Sequence, residues 1–163
     1  MSDIAIRPAT SADADAIAAI YNQAVLTSTA TFDLEPETPA ARRRFLTAET
    51  TCLCLVAEVD GRVVGWSSLA RWSARGGYDQ TVESSIYIIP KTWREGIGLA
   101  LGGAALEAAA HLDVHAVIAQ ICAENVAGLA LAERLGFARV GVLREVGRKF
   151  GRSLDVVVCE LLV

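Results

Sequence analysis

Apolar and polar positions change rhythm several times along the chain, and each change predicts an element. Asp3 to Pro8 alternate and predict a first strand. Ile17, Ile20, Tyr21 and Val25 recur at helical spacing behind a Thr10 or Ser11 cap, with Asp13 and Asp15 placed where a first turn favours negative charge. From Asn22 to Leu34 that rhythm gives way to β-branched and polar residues, which predicts a loop carrying Thr29, Thr31 and Phe32. Pro39 opens a second short helix ending near Ala48, with Arg42, Arg43 and Arg44 expected on a solvated face. Cys52 to Val59 and Arg62 to Leu69 read as strands joined at Asp60-Gly61, a hairpin signal because both turn positions favour positive φ.

A polar insertion, Arg71 to Gln80, leads into the stretch around which the chain is organised. Val82, Ser84, Ile86 and Ile88 alternate with Glu83, Ser85, Tyr87 and Ile89, and Pro90 ends that strand because it has no backbone N–H. A short polar loop, Gly96-Ile97-Gly98 and an Ala/Leu-rich helical run follow. Ala116 to Ile121 predict a buried strand, Asn125 to Leu135 a helix closed by Gly136. Phe137 to Val146 and Leu154 to Val163 predict two last strands joined through the basic turn Arg148 to Arg152. The order β α α β β β α β α β β predicts one α/β domain over residues 1–163, a mixed sheet with helices on both faces.

Composition narrows the function. At 163 residues and 53% hydrophobic, the chain can build a substantial core, and a net charge of −4 argues against a nucleic-acid partner. No apolar run near the glycine loop reaches the roughly 20 residues that span a bilayer, and Met1-Ser2-Asp3 has no basic region followed by an apolar run, so no membrane partner or signal peptide is expected. A cytoplasmic location follows as the expectation. Cys52, Cys54, Cys122 and Cys159 sit in apolar strand-like runs and read as buried free thiols of a reducing compartment. His111 and His115 have helical ligand spacing but no third donor nearby, so no metal is expected.

The candidate chemistry begins at the glycine loop. A strand, a glycine loop and a helix start form an anion site, because the first N–H groups of a helix lack internal partners and glycines let a phosphate approach them. A diphosphate cofactor is expected there.

The motifs together resemble the GNAT acyl-CoA N-acyltransferase superfamily, and within it the phosphinothricin and methionine-sulfoximine acetyltransferases, over nearly the whole chain. The residues that carry the resemblance are Ile6-Arg7-Pro8-Ala9-Thr10 with Ile20-Tyr21-Asn22, Thr29-Ala30-Thr31-Phe32, and Trp72-Ser73-Ala74-Arg75 with Tyr78. Thr81 to Ile88, Gly96-Ile97-Gly98, Asn125 with Leu135-Gly136-Phe137, and Gly147 to Gly151 complete it. The resemblance implies a GNAT-type, mostly antiparallel mixed sheet, acetyl-CoA as co-substrate and the amine of a small amino acid or analogue as acceptor. It implies that Arg94, Glu95, Gly96, Ile97, Gly98 and Leu99 hold the diphosphate. The strand before them splays from its parallel neighbour to pair with the pantetheine arm, and Asn125 touches that arm. Around Tyr87 and Ile88, backbone N–H groups are the candidates for the oxyanion. Phe32, Trp72, Arg75, Tyr78 and Lys149 are the expected substrate contacts, with Arg75 suited to a carboxylate. A homodimer is compatible with it, with Val156-Val157-Val158-Cys159 as an available apolar segment.

Glu83 is the candidate catalytic residue. An ammonium cannot attack a thioester, and a carboxylate can take its proton directly or through water. Burial in an apolar strand raises such a carboxyl's pKa toward a useful value. Direct attack in a ternary complex is the expected mechanism; a CoA-binding module with little catalysis, or transfer to a different amine, is the alternative. The sequence departs from the family at Trp93, where Gln or Arg is usual, and at Glu95, Gly128, Ala132, Ser73 and Ser153. Ala132 removes the Tyr or His that can protonate a leaving thiolate.

Overall fold

The computed structural model describes residues 3–93 and 95–163. In chain order the elements are β1 (Ile4–Pro8), α1 (Ala14–Thr27), α2 (Pro39–Thr47), β2 (Thr51–Val59), β3 (Arg62–Arg71) and β4 (Thr81–Ile88). They continue with α3 (Ile97–Ala109), β5 (Ala116–Cys122), α4 (Val126–Arg134), β6 (Ala138–Lys149) and β7 (Arg152–Leu162). The sheet runs β1-β2-β3-β4-β5-β7-β6, and every neighbouring pair is antiparallel except β4 with β5. The expected mixed, mostly antiparallel sheet is the one observed.

Each face of the sheet has its own core. On one, α3 and α4 bring Leu101, Ala105 and Leu129 onto Leu55, Leu69, Val82 and Val117. On the other, α1 places Ile17, Tyr21 and Val25 over Val56 and Trp66, with Phe45 and Leu46 of α2 packed alongside. The start of α1 is pinned to β1 by charge. Arg7 donates to both oxygens of Asp13 at 2.8 and 2.9 Å, and the Asp13 carboxylate also accepts from the Thr10 N–H at 2.8 Å.

Several boundaries differ from the sequence reading, for identifiable reasons. Helix α1 continues to Thr27, so Asn22 to Thr27 are helical rather than loop. Its stripe fades because the far end meets solvent (Leu26 is exposed), and local bonds such as Ser28 N–H to Ala24 O carry it on. Arg42 is buried, not solvated. Its guanidinium lies 4.1 Å from the Tyr21 ring centroid and 4.9 Å from that of Trp66, and its Nε is 2.6 Å from Glu37 Oε2. Three successive arginines on a helix point in three directions, and one had to face inward. Cys52 is exposed and Cys54 only partly buried, so the thiols are not uniformly buried. The last two strands extend to a two-residue turn, with Phe150 and Gly151 at φ of 52° and 74°. Segment Val156 to Cys159 lies inside the sheet, since β7 runs between β5 and β6, and Val156, Val157 and Cys159 are buried. It is not an edge of the sheet; the free edges are β1 and β6.

Candidate active site

The site exists because β4 and β5 part. Their parallel register covers only Thr81↔Ala116, Val82↔Val117 and Glu83↔Ile118, and beyond Glu83 no β5 residue pairs with β4. Strand β4 stays paired to β3 throughout, and the bonds Ile89 N–H to Val64 O and Trp72 N–H to Thr81 O fix which groups face which way. Alternation then directs the backbone of odd-numbered residues, Tyr87 included, toward β3, and that of Ile86 and Ile88 into the gap. Of the two expected oxyanion donors, only Ile88 therefore presents its N–H to the opening. The Ile88 carbonyl is occupied: the Trp93 indole N–H donates to it at 3.2 Å.

Side chains alternate in the same way, so the gap joins the two faces of the sheet. A cleft of about 300 Å³ runs through it. Ala30, Thr31, Phe32, Glu83 and Tyr87 line it toward α1, and Ile86, Asn125, Leu131, Ala132 and Leu135 line it toward α4. Glu83 stands where the strands part. Burial raises its pKa, and a bond from Gln120 Nε2 to Glu83 Oε1, at 3.3 Å, pulls weakly the other way. Beside it, burial raises the Tyr87 phenol to about 12, so it is protonated at neutral pH. The Tyr87 ring is fixed by stacking on Trp66 at 5.0 Å and by an edge contact with Tyr21, also at 5.0 Å.

The glycine loop lies at the far end of β4. Gly96 takes φ of 84°, a left-handed conformation that L side chains rarely adopt, and turns the chain into α3. The N–H groups of Ile97, Gly98 and Leu99 form the open first turn of that helix. Glu95 is exposed, while Arg94 lies outside the described residues. Asn125 caps α4, its Oδ1 accepting from Gly128 N–H at 3.0 Å. A Cβ at residue 128 would lie 2.6 Å from Asn125 Nδ2, so the glycine found there lets the amide fold back over the helix start.

The expected substrate residues separate into groups. Phe32 reaches the cleft wall. Trp72, Arg75 and Tyr78 sit exposed on the loop before β4, off the cleft wall. Lys149 is buried behind that wall, its Nζ donating to Thr31 O at 2.8 Å. Thr31, Gln120 and Ala30 reach the cleft without having been singled out as contacts. Gln120 is a polar residue in an apolar strand, a signal comparable to that of Glu83. Among the described residues, no group of three or more His, Cys, Asp or Glu is placed to hold a metal, and no helix is long and apolar enough to cross a membrane.

Comparisons with known proteins agree with this geometry. Residues 3–138 match the family described as Acetyltransferase (GNAT) domain. The chain is 38% identical to the phosphinothricin N-acetyltransferase of Streptomyces viridochromogenes, covering 94% of this chain and 84% of that one. It is 35% identical to the L-methionine sulfoximine/L-methionine sulfone acetyltransferase of Pseudomonas paraeruginosa, over 96% of this chain and 92% of the other. The structure of yncA from Salmonella typhimurium, solved with its cofactor acetyl-CoA, superposes with a TM-score of 0.93 at 33% identity, covering 98% and 93% of the two chains. The chain belongs to the GNAT acetyltransferase family. It is an N-acetyltransferase with acetyl-CoA as its co-substrate.

Proposed function

We propose that the protein acetylates the primary amine of a small amino acid or analogue, of the phosphinothricin, methionine sulfoximine or methionine sulfone class. The observation that carries this reading is the position of Glu83, a half-buried carboxyl where β4 and β5 part, facing a cleft that opens to both sides of the sheet. The diphosphate lies on the first turn of α3, and the pantetheine arm pairs with the backbone groups of Ile86 and the Ile88 N–H on the open edge of β4. The amine approaches from the side of Thr31 and Phe32. Glu83 accepts its proton, directly or through a water. The free amine attacks the thioester carbon, the oxyanion is held by N–H groups on the β4 edge, the nitrogen sheds its second proton to solvent, and the C–S bond breaks to release a thiolate. With Ala132 in the α4 wall, no side-chain acid is assigned there; CoA thiol, with a pKa of about 8.5, leaves adequately without one. The exposed loop before β4 carries Arg75 and Tyr78, the groups assigned here to the acceptor's acidic group. The names of the two curated relatives support the acceptor class.

Strand β6 is one of the sheet's two free edges and exposes Val140, Val142, Leu143 and Val146, which supports a homodimer built on that strand. Four free cysteines fit a cytoplasmic setting.

Thiol release measured with methionine sulfone, methionine sulfoximine and phosphinothricin tests the acceptor class; release with none of them refutes it. Glu83→Gln is expected to lower kcat/KM by roughly 10²- to 10⁴-fold at neutral pH. A variant that keeps full rate at every pH removes Glu83 from the mechanism.

A further inference from the structure

Strand β6 is exposed from Ala138 to Val146 and becomes enclosed only at Gly147 and Lys149. Both of these residues touch the loop that walls the cleft. Lys149 Nζ donates to Thr31 O at 2.8 Å. Two positions earlier, on the same face of the strand, Gly147 meets the Phe32 ring: a Cβ there would clash with Cε1 and lie 2.5 Å from Cζ and 2.7 Å from Cδ1. The Thr31 hydroxyl is bonded to the Tyr21 hydroxyl at 2.8 Å, and Tyr21 also donates to Asp33. The loop is thus held by its carbonyl from β6 and by its side chain from α1.

Lys149 is an expensive residue to bury. It is 3% exposed, its hydrogen-bond acceptor is the neutral Thr31 carbonyl, the Phe150 ring stands 5.3 Å away, and the Asp33 carboxylate offsets the cost only through space. An apolar side chain of equal length would fill the space at less cost. The ammonium adds a fixed position for Thr31, and through it for Phe32, two of the residues that line the α1 side of the cleft.

We propose that Lys149 and Gly147 are positioning residues that set the acceptor wall: Lys149 anchors Thr31, and Gly147 leaves room for the Phe32 ring. Neither touches the acceptor, which departs from the substrate contact that the resemblance implied for Lys149. The proposal rests on the reading that the amine binds beside Thr31 and Phe32.

The test compares Lys149→Met, which keeps the stem and loses the donor, with Lys149→Arg, which keeps a cation, and adds Gly147→Ala alone and with Phe32→Leu. Readouts are kinetics with methionine sulfone, the thermal shift caused by acetyl-CoA, and amide hydrogen exchange over residues 28–34. Lys149→Met is expected to raise KM for methionine sulfone roughly tenfold, more than it lowers kcat, and to speed exchange at 28–34. The acetyl-CoA shift stays at the wild-type value, and Lys149→Arg recovers part of the loss. Gly147→Ala behaves similarly, and adding Phe32→Leu restores slow exchange at 28–34. Unchanged KM together with unchanged exchange overturns the proposal, as does an equal loss of acceptor and acetyl-CoA binding. If wild-type protein fails to acetylate methionine sulfone, the acceptor reading falls, and exchange at 28–34 still decides: faster there alone supports the anchor, and no change refutes it. If Lys149→Met does not fold, Gly147→Ala with and without Phe32→Leu decides by the same measurements.

Discussion

The Arg7–Asp13 pair should make the protein measurably acid-sensitive. The paired guanidinium holds the Asp13 carboxyl at about 2, below its ordinary 3.8, with a smaller contribution from the Thr10 N–H. A folded-state pKa below the unfolded one means stabilisation that is complete above the unfolded value and lost as pH falls toward the folded one. The gap corresponds to about 2.4 kcal/mol at 1.36 kcal/mol per tenfold change in proton affinity. Asp13 is buried but the Arg7 side chain is 39% exposed, so water screens part of this, and about 1–2 kcal/mol is the realistic share. Asp13→Asn is therefore expected to lower Tm by roughly 2–8 °C at pH 7, at 2–4 °C per kcal/mol for a chain of this size. Urea unfolding of wild type and variant from pH 7 down to pH 3 checks the sign. The difference between them should hold constant to about pH 5 and shrink by roughly half near pH 3. A difference that is absent at pH 7, or that stays constant down to pH 3, refutes the reasoning.

Three further outcomes are expected. Gln120→Leu removes the one bond that favours the Glu83 carboxylate, so the acidic limb of kcat/KM should move to higher pH; an unmoved limb separates Glu83 from the rate. Trp93→Phe frees the Ile88 carbonyl for the pantetheine arm, and isothermal titration should find acetyl-CoA bound more tightly by about 1 kcal/mol; weaker binding would mean the indole helps to hold the carrier. Val142→Glu places a charge on the apolar β6 edge and should shift sedimentation from dimer to monomer; a wild-type protein that is monomeric at all concentrations removes the dimer.

Local chemistry was legible in the sequence wherever a residue type has few uses. Asp60-Gly61 makes the expected hairpin with φ of 50° and 73°, and the strand, glycine loop and helix appear in the expected order. Features set by long-range register were not. Which way the Tyr87 amide points depends on its pairing across from Trp66, and the enclosure of Lys149 depends on a loop 118 positions away. The inward turn of Arg42 likewise needs three aromatic rings brought together by different elements.

Only three residue pairs join β4 to β5, while a single apolar core, from Leu55 and Val82 to Val117 and Val157, runs across that short seam. A thioester carrier seated in the gap as proposed adds main-chain bonds where that register stops. A ligand that binds only the folded chain resists its unfolding, so acetyl-CoA is expected to slow proteolysis of the purified protein, and an unchanged cleavage rate refutes that.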